Sequence, residues 1–175
     1  MRQHALVLGG IRSGKSALAE ALAARTRRPV IYVATGEARD AEMTDRIRRH
    51  QARRPGNWGL VEEPLDLAGV LQRHADAAPC LLVDCMSLWL GNLLHAGAVD
   101  ERVGAFLDAL ARYPGPLVIV SNEVGLGTIG MDPLTRQFAD RLGWLNQDLA
   151  ALCDTVVLTV AGLPTYLKRN PVRPV

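Results

Sequence analysis

The stretch Gly9-Gly10-Ile11-Arg12-Ser13-Gly14-Lys15-Ser16 reads G-x-x-x-x-G-K-S. Ahead of it lies the apolar run Ala5-Leu6-Val7-Leu8, and behind it comes Ala17 to Ala24, rich in strong helix formers. Strand, glycine-rich turn and helix in that order make the pattern a phosphate-binding loop. The backbone N–H groups of such a turn and the positive end of the helix converge on an anion. Lys15 is placed to neutralise the β- and γ-phosphates of a nucleotide, and the Ser16 hydroxyl to ligate Mg²⁺. The alternative, a glycine-rich turn that merely packs a helix on a sheet, is disfavoured because every fixed position and both flanks are present.

Working outward, 175 residues suit one domain with a sizeable core, here taken as residues 1–175. Hydrophobic residues make up 49% and charged residues 22%, ordinary for a globular protein. A net charge of +2 is too small to argue for nucleic acid or an anionic membrane as partner. No apolar run is long enough to span a bilayer, and the chain enters its first strand with no room for a signal peptide. Cys80, Cys85 and Cys153 lack C-x-x-C spacing and cannot all pair. Buried reduced thiols are expected, hence a cytoplasmic setting.

The rest alternates Val-, Ile- and Leu-rich segments with helical patterns. Val30 to Ala34 reads as a buried strand, Asp40 to about Gln51 as a charged helix, and Leu60 to Glu62 as a short extended piece. A helix from about Leu65 to His74 precedes the strand Pro79 to Asp84. Met86 to Leu94 is apolar nearly all round, which predicts burial on more than one side and hints at an oligomer interface. Asp100 to Tyr113 is an amphipathic helix and Leu117 to Val120 a buried strand. Gly127 to Asp132 reads as a mobile loop, and Pro133 opens a helix to about Leu152. Thr155 to Val160 is the last clear strand; a short one near Tyr166-Leu167 and a frayed proline-rich tail are expected after it. The expected fold is α/β: a three-layer P-loop NTPase-like arrangement, its mostly parallel central sheet covered by helices on both faces. Ligands of such sheets bind at the strand C-terminal ends, where the P-loop, Thr35, Asp84 and Glu123 fall.

Asp84, ending an apolar strand, stands where a Walker-B carboxylate holds Mg²⁺; an N-cap role before Ser87 is the competing reading. A GTPase switch requires D-x-x-G and N-K-x-D, but the corresponding stretches are Asp84-Cys85-Met86-Ser87 and Asn122-Glu123-Val124-Gly125. A small-molecule kinase or nucleotidyltransferase is favoured, with a regulatory nucleotide-binding module as the remaining alternative. The helix from Asp40 to Gln51 is acidic at its start and basic at its end, which complements the macrodipole. That does not require His50 within the cluster Arg46, Arg48, Arg49, Arg53 and Arg54. Positive neighbours favour neutral, nucleophilic imidazole while the helix C-terminus opposes this, so nucleophile and surface histidine both stay open.

These residues together resemble the bifunctional adenosylcobinamide kinase / adenosylcobinamide-phosphate guanylyltransferase family of cobalamin biosynthesis. The resemblance rests on Gly9 to Ser16, Tyr32-Val33-Ala34-Thr35, Asp45-Arg46-Ile47-Arg48-Arg49-His50-Gln51-Ala52-Arg53-Arg54-Pro55, Trp58, Glu62, the Asp84 strand, Ser121 to Gly127, and Leu145-Asn146-Gln147. The R-I-x-x-H…R-P and N-E-V-G elements at these separations are much more specific than the P-loop. The resemblance implies two reactions. A γ-phosphoryl group passes from ATP or GTP to the aminopropanol hydroxyl of adenosylcobinamide. His50, matching the guanylylated histidine, then takes GMP from GTP and passes it to adenosylcobinamide phosphate. The match implies His50 and Lys15 as catalytic residues. It carries over Gly9, Gly10, Ile11, Arg12, Ser13, Gly14, Lys15, Ser16, Ala34, Thr35, Gly36, Gln51, Ala52, Arg53, Arg54, Glu62 and Asp84 as nucleotide-contacting positions, with Ser16 and Asp84 at the metal. It also implies a homo-oligomer, such as the trimer associated with the family.

Overall fold

Short runs of β-branched and leucine residues, each stopped by glycine, proline or a polar residue, become the strands of one sheet. The computed structural model describes residues 3–37, 55–127 and 130–169. The strands are β1 (His4–Gly9), β2 (Val30–Ala34), β3 (Gly59–Glu62), β4 (Cys80–Asp84), β5 (Leu117–Asn122), β6 (Thr155–Val160) and β7 (Leu163–Arg169). The helices, numbered here in chain order, are α1 (Lys15–Arg25), α2 (Leu67–Arg73), α3 (Met86–Ala96), α4 (Val99–Arg112) and α5 (Pro133–Leu152). The sheet runs β3-β2-β4-β5-β1-β6-β7. Pairings from β3 across to β6 are parallel, and β7 returns antiparallel along β6. The α/β expectation with a mostly parallel sheet therefore holds.

Alternation along the strands divides the core in two. Val7, Tyr32, Leu82, Val118 and Val120 pack with Ala19 and Ala23 of α1 on one face. Leu6, Val33, Leu81, Val83, Leu117 and Ile119 pack on the other face against α2, α3, α4 and α5. Among the described residues α1 is the main cover of its face, joined by Leu88 of α3 and by Trp58. Small alanines at its contact positions let it lie close to the sheet, which brings its first turn near the strand ends.

Two segments gain detail. The apolar segment Met86 to Leu94 is buried on more than one side, as its composition predicts: Met86, Trp89, Leu90 and Leu93 enter the large core, and Leu88 packs on the α1 side. Trp89 stacks edge-on against Phe106 at 5.2 Å and donates its indole N–H to Leu65 O at 3.0 Å. Secondly, the weak strand signal at Tyr166-Leu167 belongs to a strand of seven residues. Ala161 and Gly162 both take positive φ (50° and 79°), the conformation that a two-residue hairpin turn requires. Pairing with β6, which apolar periodicity along β7 does not announce, supplies the order. The charged segment 40–51 lies outside the described residues apart from its sequence, as do residues 128–129 of the loop before α5 and the tail beyond 169.

Candidate nucleotide site

The turn between β1 and α1 is shaped by two glycines. A Cβ on Gly9 would lie 2.3 Å from Ser13 Oγ and 2.8 Å from Thr159 O, so no side chain fits there. Gly14 takes φ +92°, costly for any residue with a Cβ, and a Cβ there would sit 3.1 Å from Gly162 Cα. The β6–β7 hairpin braces the loop from outside, Gly162 N donating to Ser13 O at 2.8 Å. Gly14 is the N-cap of α1 and makes no side-chain cap, and no acidic residue sits in the first turn. The N–H groups at this helix end are thus left for an anion. Lys15 Nζ donates to Gly10 O at 3.1 Å, folded back over its own loop. Gly10, Ile11 and Arg12 are exposed on the turn, Ser13 is buried, and Ser16 is half-buried at the helix start.

Strand pairing gathers the remaining positions at the same edge of the sheet. Ala34 is in register with Glu62 of β3 and with Asp84 of β4, Asp84 with Val120 of β5, and Gly9 with Asn122 of β5. The ends of β1, β2, β3 and β4 therefore all open on one side. Alternation places Asp84 on the α1 face, following Cys80 and Leu82 in the same core cluster. Asp84 is half-buried, and Tyr32 Oη donates to its Oδ2 at 3.0 Å. Burial pushes the neighbouring Cys85 thiol up, the Asp84 charge adds to this, and the Lys15 charge opposes it. Both the P-loop lysine and the β4 carboxylate are thus within electrostatic reach of one atom.

Thr35 is fully buried and serves as a brace. Its Oγ1 donates to Cys85 O and accepts from Cys85 N, both at 2.8 Å, while Thr35 N donates to Asp84 O. Asn92 of α3 donates to Thr35 O at 2.8 Å and to Pro64 O at 3.2 Å. Gly36 follows as a half-buried position whose added Cβ would meet Leu88 at 3.1 Å. The two adjacent glutamates separate by function: Glu63 accepts from Leu65 N and Asp66 N and faces Arg73, whereas Glu62 is exposed at the end of β3. Glu123 Oε1 accepts from Gly125 N at 2.7 Å, which makes it an anchor of its own loop. His50, Gln51, Ala52, Arg53 and Arg54 lie outside the described residues.

Sequence reasoning quoted Tyr32 but assigned it no role, and its contact with Asp84 follows from β2–β4 pairing rather than from spacing. Several polar atoms around the loop have no hydrogen-bond partner although buried: Ser13 Oγ, Ser121 Oγ, Asn122 Oδ1, Asn146 Oδ1 and Thr159 Oγ1. Buried polar atoms are normally paired, so their concentration here marks a site shaped around something further.

The model of the family described as "Cobinamide kinase / cobinamide phosphate guanyltransferase" matches residues 5–167, nearly the whole chain. The chain belongs to this family. It is 50% identical over 169 residues to the bifunctional adenosylcobalamin biosynthesis protein CobP of Pseudomonas aeruginosa, covering 95% of this chain and 98% of that protein. Against the corresponding CobU of Salmonella typhimurium the identity is 36% over 181 residues, covering 93% and 98%. Among solved structures, a KaiC-like protein of Pyrococcus horikoshii shares the fold with a TM-score of 0.52 at 12% identity, covering 89% of this chain and 70% of that one. That likeness concerns the fold alone. As a family member the chain is a nucleotide-using transferase of cobalamin biosynthesis with cobinamide kinase and cobinamide phosphate guanylyltransferase activity. Among the described residues no helix is long and apolar enough to cross a membrane.

Proposed function

We propose that residues 1–175 form one P-loop catalytic domain in which both transfers use a triphosphate held between Gly9–Ser16 and Asp84. The observation that carries this reading is the convergence of the uncapped α1 start, Lys15 and Asp84 on one edge of the sheet. In the kinase step the aminopropanol hydroxyl of adenosylcobinamide attacks the γ-phosphorus of ATP or GTP. The bond to the β-phosphate oxygen breaks, the nucleoside diphosphate leaves, and the hydroxyl proton is lost. Lys15 holds charge on the transferring group, and the P-loop N–H groups fix the phosphates for in-line attack.

In the second step the His50 imidazole attacks the α-phosphorus of GTP and expels pyrophosphate, forming a phosphoramidate. A phosphate oxygen of adenosylcobinamide phosphate then displaces the histidine, giving adenosylcobinamide-GDP and restoring His50. Arg53 and Arg54, next to the nucleophile in sequence, suit the pyrophosphate leaving group. Ala34, Gly36, Gln51, Ala52 and Glu62 complete the nucleotide contacts, and Thr35 contributes by holding the strand ends. This assignment of His50 and its neighbours rests on the motif match.

The Ser16 hydroxyl and the Asp84 carboxylate fit Mg²⁺, which takes few protein oxygens and keeps water and phosphate as its other ligands. When bound, Mg²⁺ neutralises developing charge on the phosphates. The domain works in the cytoplasm, a reading supported by three buried free thiols. We assign it a homo-oligomeric state, a trimer by resemblance; exposed Ile11, Leu126, Met131 and Leu134 offer apolar surface for it. Incubation with GTP labelled at the α-phosphorus tests the central claim. An acid-labile, base-stable protein adduct is expected in the intact chain and lost in His50→Ala; an unlabelled intact chain would overturn the covalent route.

A further inference from the structure

The phosphate site accounts for one substrate of the family's chemistry; the other, a cobinamide, is a broad macrocycle and needs a surface of its own. Two helical corners stand beyond the strand ends where such a surface is required. Asn146 of α5 donates to Asn122 O at the end of β5. The helix begins at Pro133, so its first half rises about 20 Å past that strand end. α3 crosses the same edge, since Asn92 donates to Thr35 O and Pro64 O, just beyond β2 and β3. α4 starts there too: Arg102 donates to Asp66, after β3, whereas Tyr113 Oη, past the far end of the helix, donates to Pro79 O, before β4.

Between the α3–α4 corner and the start of α5 lies a cleft of about 890 Å³. It belongs to the edge of the sheet that holds the P-loop and Asp84, but stands on the α5 side rather than the α1 side. Its chemistry differs from that of the phosphate site. Leu94, Val99 and Phe138 form an apolar floor continuous with the large core. His95, Glu101 and Gln137 stand exposed around them. The described lining residues include one arginine and no lysine, and that arginine, Arg141, is paired with Asp100. A polyphosphate finds no uncommitted guanidinium or ammonium among them, and Glu101 repels it.

We propose that this cleft is the corrinoid site, with one face of the adenosylcobinamide ring seated on Leu94, Val99 and Phe138. The proposal rests on the reading that Gly9 to Ser16 and Asp84 hold the triphosphate. The methyl-bearing face of the ring is apolar, and the primary amides at its rim pair with the Glu101 carboxylate and the Gln137 amide. Co(III), the corrin ring and the adenosyl ligand leave this substrate net cationic, which suits a lining with a surplus carboxylate. Because the nucleotide is held on the α1 side, the aminopropanol arm and the triphosphate approach each other over the strand ends from opposite faces of the sheet.

Equilibrium dialysis of the full chain against adenosylcobinamide, read by the visible absorbance of the corrinoid, provides the test. A GTP analogue with a methylene between the β- and γ-phosphorus is present throughout, and its own affinity is measured by calorimetry. Gln137→Trp fills the cleft from an exposed position, and Glu101→Arg reverses its surplus charge. Each is expected to weaken adenosylcobinamide at least about tenfold and to leave the analogue within about twofold. Thermal melts check that both variants fold, and Glu101→Arg carries the test if Gln137→Trp does not. Unchanged corrinoid affinity in a folded variant would overturn the proposal. So would a changed oligomeric mass with unchanged affinity, which would make the cleft a contact between copies of the chain. Lys15→Ala separates the two levels. If it weakens the analogue while the cleft variants leave the corrinoid bound, only the cleft assignment fails; if it binds the analogue as the unsubstituted chain does, the P-loop reading fails.

Discussion

Tyr32 Oη donates to Asp84 Oδ2 at 3.0 Å, a diagonal contact between adjacent parallel strands, since Tyr32 is in register with Leu82 and Asp84 with Ala34. The phenol is buried, so this bond occupies one carboxylate oxygen and fixes the rotation of the group. Tyr32→Phe keeps the packing and removes only the hydroxyl. We expect a loss of about 1 kcal/mol in urea unfolding, as for a typical single hydrogen bond, and a several-fold fall in kcat for the kinase step with the nucleotide KM less affected. A variant with unchanged kcat and raised KM would assign Tyr32 to ground-state binding instead.

Gly9→Ala places a methyl group where Ser13 Oγ and the Thr159 carbonyl already sit. Backbone on one side and a buried serine on the other leave little room to yield. Loss of about 1–3 kcal/mol in stability is expected from such overpacking, together with weakened nucleotide binding as the loop shifts. Gly10→Ala is the control, because a Cβ there meets nothing within 4 Å. Similar melting temperatures for the two variants would contradict the close-approach account.

His50→Ala should separate the two activities. Kinase turnover is expected to persist, because attack at the γ-phosphorus does not pass through the imidazole, whereas transfer of GMP should fall to background. Lys15→Ala should depress both. Parallel assays of phosphorylated and guanylylated corrinoid from the same preparations decide this; loss of both activities in a folded His50→Ala would argue against separate roles.

Stability should fall at alkaline pH because of the buried thiols. Burial pushes the Cys80 thiol from 9.0 up to about 11, against a weaker lowering by its hydrogen bond with Thr26. Cys153 is pushed up to about 12 by burial, with Asp154 adding and Lys168 opposing. A thiol whose folded pKa lies above the unfolded one keeps its proton in the fold after the unfolded chain has lost it. Its contribution is therefore complete below pH 9.0 and is lost as pH rises toward 11. Each such group adds a slope of at most about 1.4 kcal/mol per pH unit. Urea unfolding under reductant between about pH 8 and about pH 10 should show the decline, less steep in Cys80→Ala. An equal slope in that variant would locate the effect elsewhere, for instance at Tyr113, whose phenol burial also pushes upward.

Much of the arrangement was legible from local pattern. The run Ala5 to Leu8 before Gly9, and the alanine-rich segment after Ser16, specify strand and helix by propensity, and the glycines by what a tight turn requires. Pro133 announced the start of α5, and the structure adds Asp132 as its cap, accepting from Thr135 N. The all-round apolar composition of Met86 to Leu94 announced burial on more than one side, and its own chain supplies that burial through both core clusters. β7 was under-read because an exposed edge strand is specified by pairing with β6, a contact along backbone rather than a periodicity of side chains.

The amino-acid sequence by itself determined the phosphate loop, the order of strands and helices, and, through its motifs, the family. Those signals are local, carried by residue types within a few positions of one another. Only the tertiary structure decided that β5 lies between β1 and β4, that Tyr32 rather than a neighbouring side chain holds Asp84, that Glu123 is a loop anchor, and that Asn122 Oδ1 is buried without a partner at the end of β5. The physical reason is that strand order and register set which side chains meet across a sheet. Residues separated by tens of positions become neighbours only when the backbone hydrogen bonds between their strands are made.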